Sequence, residues 1–117
     1  MNALILVDIQ NDFMPGGPLA VPGGDEIIPL VNELQNSFSL VVATQDWHPR
    51  SHKSFASNHP LKKTFELITL HGLEQVLWRD HCVQGSIGPQ IHPSVNVNKV
   101  EGIFRKGRGG HCHDAKR

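Results

Sequence analysis

Two short apolar runs separated by a helical pattern constrain the fold of this chain more than any other feature. Residues 3–9 (ALILVDI) and residues 40–44 (LVVAT) are almost continuously apolar, as expected of strands covered on both faces. Between them, residues 25–35 carry apolar side chains at the spacing i, i+1, i+4 and i+7, which predicts a helix. Strand, helix and strand form a βαβ unit, which implies parallel pairing and a right-handed crossover. The sequence therefore predicts an α/β fold.

The rest of the chain adds one further predicted strand and a long connection. Residues 96–105 (NVNKVEGIFR) fit a third strand, less apolar than the first two. Residues 49–69 are polar and fit a long loop, a length that indicates function or disorder. Residues 73–78 fit either a short helix or a strand. Three apolar side chains are the expected anchors of the long loop: Phe55, Leu61 and Phe65.

Length and charge exclude several classes of function. The 117 residues form one domain at most. The 11 acidic and 11 basic residues balance, so neither nucleic acid nor an anionic membrane is an expected partner. No apolar stretch reaches the roughly 18 residues that a membrane span requires, and Asp8 and Asp12 come too early for a signal peptide. Two cysteines do not make a disulfide framework, so we expect a reducing, cytoplasmic environment.

Charged side chains follow each of the three predicted strands. Asp8 closes the first, Asp46 and His48 follow the second, and Lys106 follows the third. Each alone fits a solvated residue at a strand end. Because the carboxyl ends of parallel strands lie along one edge, where open α/β sheets bind their ligands, the four side chains together predict a site.

Asp46 and His48 also have the spacing of two metal ligands. An extended backbone directs residues i and i+2 to the same side, and Pro49 stiffens the chain that follows. A carboxylate oxygen and an imidazole nitrogen suit Zn²⁺ or Fe²⁺. Spacing does not choose the third ligand among four candidates: His52, His59, His71 and His81.

Four motifs resemble those of a known family. VDIQNDF, ATQDWHPRSHKSFASNH, LWRDHCVQGS and the later RKG occur in this order. Together they resemble the nicotinamidases, which are isochorismatase-like cysteine hydrolases. The resemblance implies a three-layer, Rossmann-like parallel sheet, of which residues 1–107 form the N-terminal part. Residues 108–117 (RGGHCHDAKR) do not resemble the family and are predicted to be a disordered tail.

The resemblance also implies an activity and the residues that perform it. The reaction is the hydrolysis of nicotinamide to nicotinate and ammonia, a step of NAD salvage. Asp8 and Lys106 match the acid and the lysine of a catalytic Asp–Lys–Cys triad. Phe13 and Trp78 match the aromatic walls around the substrate ring.

A divalent metal ion, Zn, Fe or Mn, is implied as the cofactor. The resemblance assigns it three ligands, Asp46, His48 and His81, and so selects His81 as the third. Ser54 falls where some members of the family place another metal ligand. Because a serine hydroxyl is a poor ligand, we expect Ser54 to hold a metal-bound water or to have no role.

The chain departs from the family at the nucleophile. In the family the catalytic cysteine lies well downstream of the lysine, whereas this sequence stops shortly after Lys106. Cys82, beside His81, and Cys112, in the Gly-rich tail, are weak substitutes, because a catalytic thiol must be held within reach of its partners. We therefore expect a truncated chain with impaired activity.

Three alternatives to an active nicotinamidase remain open. The chain is a non-catalytic, metal-binding remnant, a hydrolase of the same fold with another substrate, or one part of an assembly. The metal set disfavours another substrate. An assembly would be a homo-oligomer or would include a complementing C-terminal chain. Loss of the later strands also predicts an exposed apolar edge and marginal stability.

Overall fold

A three-stranded parallel sheet organises the chain. The computed structural model describes residues 2–109, so Cys112 and most of the predicted tail lie outside the described residues. Strands β1 (Ala3–Val7), β2 (Leu40–Asp46) and β5 (Val100–Lys106) pair in the order β1-β2-β5, with both pairs parallel. The predicted α/β class is confirmed. The third strand starts later than predicted, at Val100.

The predicted helix is an α-helix flanked by tighter turns. Helix α1 spans Ile28–Leu34, and 3-10 turns at Gly24–Ile27 and Gln35–Ser37 extend it at both ends. Pro29 lies in the first turn of α1, where its missing N–H has no helical partner to lose. The α-helical part is therefore shorter than the predicted range 25–35.

The core lies on one face of the sheet. Leu6 of β1 and Val41 of β2 are 5% and 2% exposed, and they pack with Val31 of α1 in the main apolar cluster. On the opposite face, Ile5 and Val7 are 57% and 60% exposed. The prediction that the strands are covered on both faces is therefore wrong for β1. No helix of residues 2–109 covers that second face, and β1 is itself an edge strand of the sheet.

Residues predicted to be a loop and an undecided segment form a β-hairpin. Strands β3 (Leu67–Leu70) and β4 (Leu73–Val76) pair antiparallel. The two turn residues, His71 and Gly72, both have positive φ, as a two-residue hairpin turn requires. The segment 73–78 is thereby mainly strand.

The long loop has one of its three predicted anchors in the core. Phe55 is fully buried, whereas Leu61 is 100% and Phe65 56% exposed. The prediction of Leu61 as an anchor is wrong, and Phe65 makes a T-shaped contact with the Trp78 ring at the surface. Within residues 2–109 no helix has both the length and the hydrophobicity to cross a bilayer.

Alternation along β1 predicts opposite outcomes for two neighbouring substitutions. Leu6→Ala leaves a cavity in the core and lowers the free energy of unfolding by about 2–5 kcal/mol, or abolishes the cooperative transition. Ile5→Ala, on the exposed face, costs less than about 1 kcal/mol. Urea unfolding followed by circular dichroism measures both. Equal losses in the two variants would contradict the assigned register.

Candidate active site

An ammonium group lies between two carboxylates at the carboxyl edge of the sheet. Asp46 and Lys106 are cross-strand partners at the ends of β2 and β5. Lys106 Nζ donates to Asp46 Oδ1 at 2.8 Å and to Asp8 Oδ2 at 2.9 Å. Asp8 follows β1 with a φ of 58° and accepts a second bond from the Thr44 hydroxyl at 3.1 Å. The three strands thus bring together the acid and the lysine that the sequence predicted.

This contact stabilises the charged forms of Asp46 and Lys106. Burial alone would raise the pKa of Asp46, but the neighbouring His48 and the hydrogen bond and charge of Lys106 outweigh it and lower the pKa to about 2. Burial alone would lower the pKa of Lys106, but hydrogen bonds to Asp46 and Asp8 outweigh it and raise that pKa. The carboxylate of Asp46 and the ammonium of Lys106 therefore remain charged at neutral pH.

Asp46, His48 and His81 form a compact group of potential metal ligands. One ligand atom from each lies within 4.8 Å of the others. His48 and His81 are 2% and 6% exposed, with ring centroids 5.0 Å apart. Burial lowers the pKa of His81, which favours the neutral, ligating form. A carboxylate and two imidazoles suit a divalent transition metal.

A short non-local pairing delivers His81 to this group. His48 N–H donates to Cys82 O at 2.8 Å, and Gln84 N–H donates to His48 O at 2.8 Å. The segment that carries His81 is thereby aligned parallel to the residues after β2. No spacing rule reveals such a pairing, so sequence reasoning from the residues alone left the third ligand open.

The other candidate histidines lie in different surroundings. His52 is buried against His48, with ring centroids 4.6 Å apart, and its Nδ1 contacts the Ser54 hydroxyl at 2.6 Å. Ser54 is therefore linked to the group of potential ligands through His52, which packs against His48. His59 contacts Lys53 O, and His71 occupies the exposed hairpin turn.

Gln10 and Asp12 support the site and were missed by the sequence reasoning. Gln10 is fully buried; its amide donates to Asp46 O and accepts from Asp46 N–H, both at 2.9 Å. Asp12 Oδ2 accepts the Cys82 N–H at 2.7 Å, which holds the residue after His81. A signal existed, because two amides and a second acid in VDIQNDF directly follow an apolar strand.

The two predicted aromatic walls lie in different surroundings. Phe13 borders an open cavity of about 370 Å³ at the end of β1, and its ring centroid is 5.8 Å from that of His81. The cavity is lined mainly by apolar side chains together with Asp8. Trp78 pairs through its backbone with Ser54 and Ala56, and its ring contacts Phe65.

Cys82 is near the site but is not activated. Its side chain is fully buried, and Gln10 Nε2 lies 3.5 Å from the sulfur. Burial, followed by the negative charges of Asp46, Asp12 and Asp8, raises the pKa of the thiol far above its ordinary value. An effective thiolate nucleophile requires the opposite shift.

Comparison with known proteins shows which proteins this chain is similar to. No protein-family model matches the sequence. The nicotinamidase of Acinetobacter baylyi is 52% identical over 105 residues, which are 90% of this chain and 49% of that protein. The chain thus spans about half the length of the curated relatives that it matches.

Solved structures with the same fold agree with the sequence comparison. The nicotinamidase/pyrazinamidase of Acinetobacter baumannii superposes with a TM-score of 0.89 at 51% identity, over 93% of this chain and 53% of that one. The pyrazinamidase of Pyrococcus horikoshii, solved in complex with zinc, gives 0.70 at 38% identity, over 92% and 52%. An isochorismatase-like hydrolase from Alkaliphilus metalliredigens gives 0.58 at 26%, over 91% and 52%. This chain is therefore homologous to the nicotinamidases and shares their isochorismatase-like α/β fold.

Proposed function

We propose that this chain forms the metal-binding and acid–lysine half of a nicotinamidase, an amide hydrolase that converts nicotinamide to nicotinate and ammonia in NAD salvage. The observation that carries the proposal is the Lys106 ammonium bonded to Asp8 and Asp46, with Asp46 shared by the group that includes His48 and His81. Similarity to nicotinamidases over 90% of the chain supports the choice of substrate.

Asp46, His48 and His81 would hold one divalent metal ion. The facing pair His48 Nε2 and Asp46 Oδ2, 3.8 Å apart, fits two ligands on either side of an ion. Three protein ligands leave positions for water or substrate, the pattern of a catalytic site. When bound, such an ion polarises a substrate or activates water. The zinc complex of the Pyrococcus horikoshii relative supports Zn²⁺; Fe²⁺ and Mn²⁺ are the alternatives.

Asp8 and Lys106 supply the proton transfer and the charge stabilisation. The ammonium of Lys106 would lower the pKa of a nearby thiol and stabilise the thiolate that attacks the amide carbonyl. The carboxylate of Asp8, held by Lys106 and Thr44, would accept the thiol proton and pass it to the departing ammonia. Water would then hydrolyse the resulting thioester, which releases nicotinate and restores the thiol. Phe13 and Trp78 would contact the pyridine ring, Phe13 from the cavity beside Asp8.

The thiol itself would come from a second structural half. In doubly wound sheets of order 3-2-1-4-5-6 the fourth strand pairs with the outer edge of the first. Here that edge belongs to β1, beside the exposed Ile5 and Val7. We propose that a complementing C-terminal half pairs there, which would place a residue at the end of its first strand next to Asp8. A second copy of this chain is the alternative occupant of the β1 edge. A reducing cytoplasm would keep the catalytic thiol free.

Cys82 is expected to be unreactive in the folded chain. In a Cys112→Ser background, a disulfide reagent at about pH 8 should label Cys82 at least about 100-fold more slowly than in denaturant, because burial and three carboxylates disfavour the thiolate. The raised pKa also means that the labelling rate keeps increasing well above the ordinary thiol pKa of about 8.5. Rapid labelling that levels off near neutral pH would make Cys82 a candidate nucleophile.

Substitution of a ligand should abolish metal retention. After incubation with Zn²⁺ and gel filtration, the chain is expected to retain one ion, measured by mass spectrometry of the metal. Asp46→Ala and His48→Ala should retain none, because two remaining ligands hold zinc weakly. His71→Ala, in the exposed turn, is the matched control and should bind as the parent does. Stoichiometric zinc in Asp46→Ala would refute the assigned site.

Complementation tests the catalytic proposal. Ammonia release from nicotinamide is measured for the chain alone and after mixing with the part of the Acinetobacter baylyi relative outside the matched region. The chain alone should be inactive, and the mixture active. Lys106→Met in this chain should reduce that activity by at least about 100-fold, since the ammonium stabilises the thiolate. Bound metal without activity in the mixture would instead support the non-catalytic remnant.

A further inference from the structure

We propose that the backbone carbonyl of Gly107 fixes the tautomer of His48, so that Nε2 is the nitrogen presented to the metal. Gly107 is then a positioning residue of the metal site, although none of its own atoms binds the ion. This inference rests on the metal site proposed above, but its central claim concerns the imidazole in the metal-free chain.

The hydrogen bond determines which nitrogen carries the proton. His48 Nδ1 lies 2.9 Å from Gly107 O, and a carbonyl oxygen only accepts hydrogen bonds. Nδ1 must therefore carry the hydrogen, and in the neutral ring Nε2 holds the lone pair. Nε2 faces Asp46 Oδ2 at 3.8 Å, a separation too long for a hydrogen bond. When the ring is neutral, two electron-pair donors thus face each other across a gap that a cation would fill.

His81 is oriented by the same device. Its Nδ1 lies 2.7 Å from the carbonyl oxygen of Arg79, so its Nε2 also holds the lone pair when the ring is neutral. Outer partners of this kind commonly orient the imidazoles of metal sites. Both histidines are therefore pre-oriented by main-chain oxygens, one from the His81 loop and one from the residue after β5.

Position 107 accepts only glycine for two separate reasons. Its φ is +70°, in the left-handed region that glycine occupies without strain. A Cβ at this position would also overlap the Cε1 and Nδ1 atoms of the His48 ring. His48 is itself only 2% exposed, so its ring has little room to move away. A side chain at this position would therefore displace the imidazole and, at the same time, break the hydrogen bond between His48 Nδ1 and Gly107 O.

The same strand end thereby sets two parts of the site. Lys106 O accepts the Trp47 N–H at 2.9 Å, which continues the pairing of β2 with β5 to the residue before His48. The Lys106 side chain reaches Asp8 and Asp46, and the next carbonyl holds His48. The position of the lysine and the orientation of the imidazole are thus both fixed by one Lys-Gly pair.

The experiment compares the Gly107→Ala and Gly102→Ala variants with the parent chain, each labelled with ¹⁵N in its histidines. Gly102 is a matched control because it lies on β5, the strand that Gly107 follows, has no positive φ, and its Cβ would meet the Phe104 side chain at an ordinary 3.4 Å. Nitrogen–proton correlation spectra of the metal-free chain at about pH 8 report the tautomer of each neutral imidazole. Zinc titration, with a chromophoric chelator as competitor, reports affinity.

In the parent chain and in Gly102→Ala, His48 should be protonated on Nδ1 and bare on Nε2. Gly107→Ala should lose this single-tautomer signature and bind zinc about 10- to 100-fold more weakly. A parent His48 protonated on Nε2 would overturn the inference, and this reading does not require the variant to fold. So would a Gly107→Ala variant that keeps both the tautomer and the affinity. If the parent chain shows the Nδ1–H tautomer but binds no zinc, the role of Gly107 in fixing the His48 tautomer would stand. Only the proposed metal site would then be refuted.

Discussion

The site depends on the two ion pairs that the Lys106 ammonium forms with Asp8 and Asp46. Two carboxylates beside each other repel, and the burial of Asp46 adds to the cost. The ammonium of Lys106 lies 2.9 Å from Asp8 Oδ2 and 2.8 Å from Asp46 Oδ1, and its charge offsets that repulsion. The contact forms only because β2 and β5 pair with Asp46 opposite Lys106. A slip of one residue would direct Lys106 to the other face of the sheet.

The part of the site formed by strand ends was predictable from sequence. Period and apolar content locate β1 and β2, and parallel pairing brings Asp8, Asp46 and Lys106 to one edge whatever the remaining details. The faces of the strands were not predictable in the same way. An apolar run has the same sequence whether one or both faces are covered, so the exposure of Ile5 and Val7 depends on what else packs there.

Residues that depend on long-range pairing also escaped the sequence reasoning. His81 joins Asp46 only because the segment after it pairs with His48, and a motif resemblance, not spacing, selected it. Gln10 and Asp12 act through backbone groups far away in sequence, at Asp46 and Cys82. A side chain that bonds to a distant main chain has no partner residue type, so no pattern of paired residues marks it.

The open face links the stability of the chain to its chemistry. Ile5 and Val7 on β1 and Phe104 on β5 lie on the uncovered face, which ends at Asp8 and Lys106. Exposed apolar area of this kind favours association at roughly 25 cal/mol per Å² buried. A second half that covers it would exclude water from the acid–lysine pair, and charge interactions strengthen when water leaves. The surface that we expect to lower the stability of the isolated chain is thus the one on which the proposed assembly would complete the site.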